Sequence, residues 1–224
     1  MPLDAGQTNP DFISFFDDFT ILHGKALNAT DMYLVVKDAG AAAAVAAAHG
    51  GTVVLTSAAT TDNDGAAILA GVALVARQAG KRLWFETRIK VSDIDSDLFV
   101  GLAEVIATNP EDVLGATIHK IGIAVQSDND GGLGLLMAMQ SDGVTNSITT
   151  LAKNMAADTY KTLGFYYDGT TISFYVDRVL VLSSQAPAPA SVTDVMAPTI
   201  MHLSGNNGGT DTLTCDYIMC VAER

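Results

Sequence analysis

The chain has 224 residues but only 2 cysteines, 1 tryptophan, 6 prolines and 12 Lys+Arg, and each scarcity removes a class of protein. Two cysteines cannot staple a disulfide framework. Cys215 and Cys220 stand five residues apart. On an ideal strand an odd separation sends two side chains to opposite faces, so the spacing predicts free thiols that do not meet. Against the 12 cations stand 25 Asp+Glu, giving a net charge of −13. Such a chain repels a phosphate backbone rather than displacing its counterions, which argues against nucleic acid as a partner.

Long apolar runs are also missing. A membrane helix needs about 20 consecutive apolar residues, and the nearest approach is the alanine-rich stretch 41–48, so no membrane helix is expected. The opening Met1-Pro2-Leu3-Asp4 has neither the cationic nor the apolar region of a cleaved leader, and synthesis in a cytoplasm is the expectation. His23, His49, His119 and His202 show no zinc-ligand spacing, and each is expected at a surface or turn. No Gly-x-Ser-x-Gly elbow or glycine-rich loop opening a helix occurs. The motifs therefore assign no catalytic, cofactor-binding or metal residue.

What is present is alternation. Leu163, Phe165 and Tyr167 alternate with Thr162, Gly164 and Tyr166; Asp168-Gly169 then supplies a turn, and Ile172, Phe174 and Val176 return. A second turn at Asp177-Arg178 leads into residues 179–182, predicting a three-stranded meander before a polar loop at 183–191. The same period recurs at 83–91, 99–105, 118–125, 133–140, 147–151, 199–203 and 213–221. Many short strands between Gly, Asn and Asp turns predict an all-β antiparallel sandwich or barrel with little helix. The one helix signal is Thr108-Asn109-Pro110-Glu111-Asp112, enough for a turn or two. Residues 39–51 have helix-favouring alanines bracketed by glycines and read as irregular or strand.

The order of motifs resembles a known family. Phe15-Phe16-Asp17-Asp18-Phe19, then Leu83-Trp84-Phe85-Glu86-Thr87-Arg88-Ile89 with Phe99-Val100-Gly101-Leu102, then Gly164-Phe165-Tyr166-Tyr167-Asp168-Gly169 with Phe174-Tyr175-Val176-Asp177, and finally Leu213-Thr214-Cys215-Asp216-Tyr217-Ile218 occur in sequence. Together they look like a concanavalin A-like (laminin-G-like) jelly roll of tailed-bacteriophage structural proteins. Arg178 departs from the second glycine that the family often has in its turn. The resemblance implies a non-enzymatic virion protein that decorates and cements a capsid exterior. Its partners would be the major capsid protein and itself as a homotrimer. Residues 1–11 would be an N-terminal arm and 12–224 a single jelly-roll domain.

Glycosidases of that fold carry Glu-x-Asp-x-x-Glu on one strand, because acid and nucleophile must flank the scissile bond. Here the only comparable strand reads Glu86-Thr87-Arg88-Ile89-Lys90-Val91, with a cation and a valine where acids belong. Glu86 and Glu104 read as solvated or salt-bridged acids, with Glu104 across the sheet from Glu86 as the alternative. Asp62-Asn63-Asp64-Gly65 and Asp128-Asn129-Asp130-Gly131 cluster hard oxygen ligands without EF-hand spacing, and read as Asx turns, with calcium as the alternative. Residues 93–97 read as a solvated acidic loop. Trp84 is a packing aromatic or a sugar-stacking platform, and the latter supports the alternative function, a lectin-like module that binds glycans.

Overall fold

The computed structural model describes residues 12–19, 33–46, 51–58, 62–70, 75–106, 108–115, 117–127, 131–185, 195–205 and 210–224. The expected arm at residues 1–11 and the acids Asp128 and Asp130 lie outside them, as do His23 and His49. The described strands form two antiparallel sheets packed face to face. Sheet A runs β13 (Val179–Gln185), β12 (Ile172–Val176), β11 (Lys161–Tyr167), β6 (Leu83–Val91), β15 (Thr212–Glu223), β4 (Thr52–Thr56) and β3 (Ala42–Ala46), with β1 (Phe12–Asp17) also paired to β15. Sheet B runs β10 (Asn146–Asn154), β9 (Leu135–Asp142), β8 (His119–Val125), β7 (Asp97–Ala103), β14 (Ala197–Leu203), β5 (Gly65–Ala70) and β2 (Tyr33–Lys37).

Alternation decides which side chains meet between the sheets. From sheet A come Phe85, Phe165 and Phe174, all fully buried, with Phe85 stacked on Phe165 at 5.6 Å. Val100, Ile123, Leu136 and Ile200 face them from sheet B. The alanine-rich stretch is an edge strand, because β3 pairs with β4 and points Ala43 and Val45 into the core. Tertiary pairing thus overrides the helical propensity of alanine.

The two outer faces differ. That of sheet B is apolar, with Leu69, Phe99, Met139 and Met201 buried beneath Ile106, Val113 and Leu114. These come from the segment holding a 3-10 helix, Pro110–Val113, whose cap Asn109 accepts a hydrogen bond from the Glu111 amide as its sequence predicts. Gly122 is required there: a Cβ would come within 2.6 Å of the Phe99 ring. Lys120, also fully buried, donates from Nζ to the Gly115 carbonyl, and desolvation pushes its amine down to about 8. Sheet A instead leaves Trp84, Arg88, Lys90, Tyr166 and Tyr175 half-buried on its outer side.

Several local expectations are corrected. His202 is not a surface residue: it is fully buried in β14. His119 lies in β8, half-buried. Asp97 is buried at the start of β7, where it accepts a hydrogen bond from the Ser127 amide, so the acidic stretch 93–97 is not wholly solvated. Residues 183–185, expected in a loop, continue β13, and the rest of that expected loop, 186–191, lies outside the described residues.

Candidate functional site

The site starts from an irregularity in β15. Against β6, Cys215 pairs with Ile89 but Tyr217 pairs with Arg88, so Asp216 is an extra residue in the strand. Such a bulge breaks the period of two. Cys215 and Cys220 consequently both face the core, contrary to the odd-spacing argument; both remain free thiols. The same bulge sends Asp216 and Tyr217 outward together. Asp216 Oδ2 accepts from Arg88 Nη1 at 2.8 Å, and the Tyr217 hydroxyl donates to Glu86 Oε1 at 2.6 Å. Burial, then the adjacent Glu86 carboxylate, push the Tyr217 phenol up to about 12 and keep it a donor.

A second irregular position completes the network. In the turn between β12 and β13, Asp177 and Arg178 both have positive φ, 51° and 62°. That conformation makes a tight hairpin and favours Asn or Gly. From it Arg178 Nη2 donates to Glu86 Oε1 at 3.0 Å. Arg88, Thr162, Asp177, Arg178, Asp216 and Tyr217 line a shallow groove of ≈ 310 Å³.

Beside the groove lies an aromatic cluster that the sequence alone did not assemble. Register places Trp84 opposite Tyr166 and Tyr175 opposite Gly164. The Trp84 and Tyr175 ring centroids are 5.4 Å apart, and Trp84 lies 5.9 Å from Tyr166. Across the strand bearing the groove, Phe16 is 62% exposed and sits 6.1 Å from the Tyr217 ring. The outer face of sheet A therefore joins a half-exposed aromatic platform to hydrogen-bonding groups. A second cavity, of ≈ 340 Å³, is lined by Asn63, Asp97, Glu111, Asp112, Leu114, Gly115 and Gln126, and offers no aromatic ring.

The alternative, an acid pair across the sheet, is not there. Glu104 follows β7 in sheet B and contacts His119 Nδ1 at 3.2 Å, whereas Glu86 is held by Arg178 and Tyr217 on sheet A. A glycosidase pair needs carboxylates flanking one bond. Glu86 stands on sheet A and Glu104 follows a strand of sheet B, so Glu104 is not across from Glu86; Glu86 is salt-bridged to Arg178, and Glu104 contacts the His119 ring. Asp62 and Asn63 form a turn ahead of β5. Among the described residues, no group of three or more His, Cys, Asp or Glu side chains could hold a metal ion.

No protein-family model matches the chain, and no curated protein matches it. Solved structures do match in fold. An endo-1,3-β-glucanase from Streptomyces sioyaensis shares 11% identity at a TM-score of 0.63, over 98% of this chain and 99% of that one. An immunostimulatory antigen and pseudo β-1,3-glucanase of Mycobacterium tuberculosis shares 12% at 0.62, covering 94% of this chain and 98% of its own. A Bacillus licheniformis β-glucanase shares 15% at 0.58, with the same coverage. The chain is an all-β, concanavalin A-like jelly-roll sandwich. Its reading as a capsid decoration protein is corrected, because these neighbours are glucanases and a pseudo-glucanase. The motifs that suggested a virion role are turn and core patterns, which specify the sandwich and not its partner.

Proposed function

We propose that the chain is a carbohydrate-binding β-sandwich whose glycan site is the outer face of sheet A, and that it binds without hydrolysing. The observation that carries this reading is the cluster of Trp84, Tyr166 and Tyr175 beside the Arg88–Tyr217 groove. A pyranose has an apolar face of C–H groups and a rim of hydroxyls. Aromatic rings next to convergent donors and acceptors match both. The glucanase neighbours support the ligand class, at identities where only the fold is shared. Binding without turnover is supported by the separation of Glu86 and Glu104 and by the engagement of Glu86 with Arg178 and of Glu104 with His119.

The test is calorimetric titration of the purified protein with a panel of soluble oligosaccharides, alongside an assay for released reducing ends. Saturable binding that falls at least tenfold in Trp84→Ala, with no release of reducing ends, is the expected result. Unchanged affinity in that variant would move the site off sheet A. Turnover lost in Glu86→Gln would make the chain a hydrolase.

A further inference from the structure

We propose that Arg178 and Glu86 form the polar end of this site and set its ligand class: an uncharged pyranose that stacks on the Trp84 platform and shares hydroxyls between the guanidinium and the carboxylate. This rests on the carbohydrate-binding reading and narrows it.

The first observation is backbone conformation. Arg178 occupies a left-handed position, φ 62°, directly after Asp177 at φ 51°. A side chain with a Cβ is disfavoured there, and glycine is not. Backbone strain retained at a surface position points to a task for the side chain. From this turn the guanidinium reaches Glu86, 92 positions earlier in the chain, while the Arg178 side chain stays 72% exposed. The side chain also lines the groove, beside Tyr217.

The second observation is how Glu86 is held. Its side chain is 7% exposed, and the Tyr217 hydroxyl and Arg178 Nη2 both donate to Oε1. Among the described residues, Oε2 takes no hydrogen bond. A carboxylate fixed through one oxygen presents the other as an oriented acceptor. A sugar hydroxyl both donates and accepts. It can therefore give its proton to Oε2 while its oxygen receives an N–H from Arg178.

The third observation is charge. Arg88 pairs with Asp216, Arg178 with Glu86, and Lys161 with Asp177 at 3.5 Å. These pairs leave no uncompensated cation among them to recruit a carboxylate or sulfate, and the chain's net charge of −13 repels both. Paired donors and acceptors suit a neutral polyol.

The test titrates the wild type, Arg178→Gly and Glu86→Gln with neutral oligosaccharides and with their uronic-acid counterparts, and records the melting temperature of each protein. The wild type should prefer the neutral series at least tenfold, with little response to salt. Arg178→Gly should keep or raise the melting temperature, since glycine suits the turn, yet lose at least tenfold in neutral affinity. A purely structural arginine would do the reverse. Glu86→Gln should weaken neutral binding and narrow the preference against uronates. Unchanged affinity in Arg178→Gly, or tighter wild-type binding of uronates that falls with salt, would overturn the proposal. In the uronate case, loss of that binding in Trp84→Ala leaves the carbohydrate reading standing. If the wild type binds no oligosaccharide of either series, both fall. Should Glu86→Gln fail to fold, Arg178→Gly alone decides.

Discussion

Both ring nitrogens of His202 lack a hydrogen-bond partner, and burial pulls the imidazole down to about 3. An unfolded histidine titrates near 6.5. Between those values the unfolded chain binds the extra proton, so stability is complete above about pH 6.5 and is lost as pH falls toward 3. His202→Leu should flatten that acid limb, read as melting temperature against pH. Cys215 and Cys220 are pushed up to about 12 by burial. Thiolate is the reactive form. A thiol reagent at pH 8 should leave both untouched in the native protein and label both after denaturation. Phe165 and Phe174 are fully buried, and alanine at either should cost about 3–5 kcal/mol in denaturant unfolding.

The bulge in β15 makes a sharper prediction for an element. Deleting Asp216 would restore an uninterrupted strand and keep Ile218, Cys220 and Ala222 facing the core, since the residue removed is the one that β6 leaves unpaired. Cooperative unfolding should persist in that variant while the Arg88 ion pair is lost, which denaturant unfolding checks. Asp216→Ala keeps the residue count and removes an ion pair whose members are 44% and 30% exposed, so its cost should stay below about 1 kcal/mol. Strands were the legible part of this protein. Period two and Asp-Gly turns located β6, β11 and β12 almost to the residue, and Asn109-Pro110 marked the 3-10 helix. The site was not legible, because it depends on register between distant segments. Glu86, Arg178 and Tyr217 come from three strands or turns, and Trp84, Tyr166 and Tyr175 meet only once β11 lies between β6 and β12. The bulge itself follows from pairing, so alternation misplaced Cys220 and hid Tyr217.

At the scale of the molecule, one sheet buries both faces and the other leaves one for solvent, which is why the aromatic face belongs to sheet A. That sheet has its final strand in its interior: β15 lies between β6 on one side and β4 with β1 on the other. Until residue 223 has left the ribosome, β6 and β4 face a gap where their shared partner belongs. The flanking strands are made early and must wait, with apolar edges uncovered, for a segment made late. Nascent chains arrested before residue 212 should therefore remain protease-sensitive, with resistance arriving in one step after 223. Closure of sheet A therefore waits for residues 212–223, and the interval before it is when a chaperone or an aggregate competes for the chain.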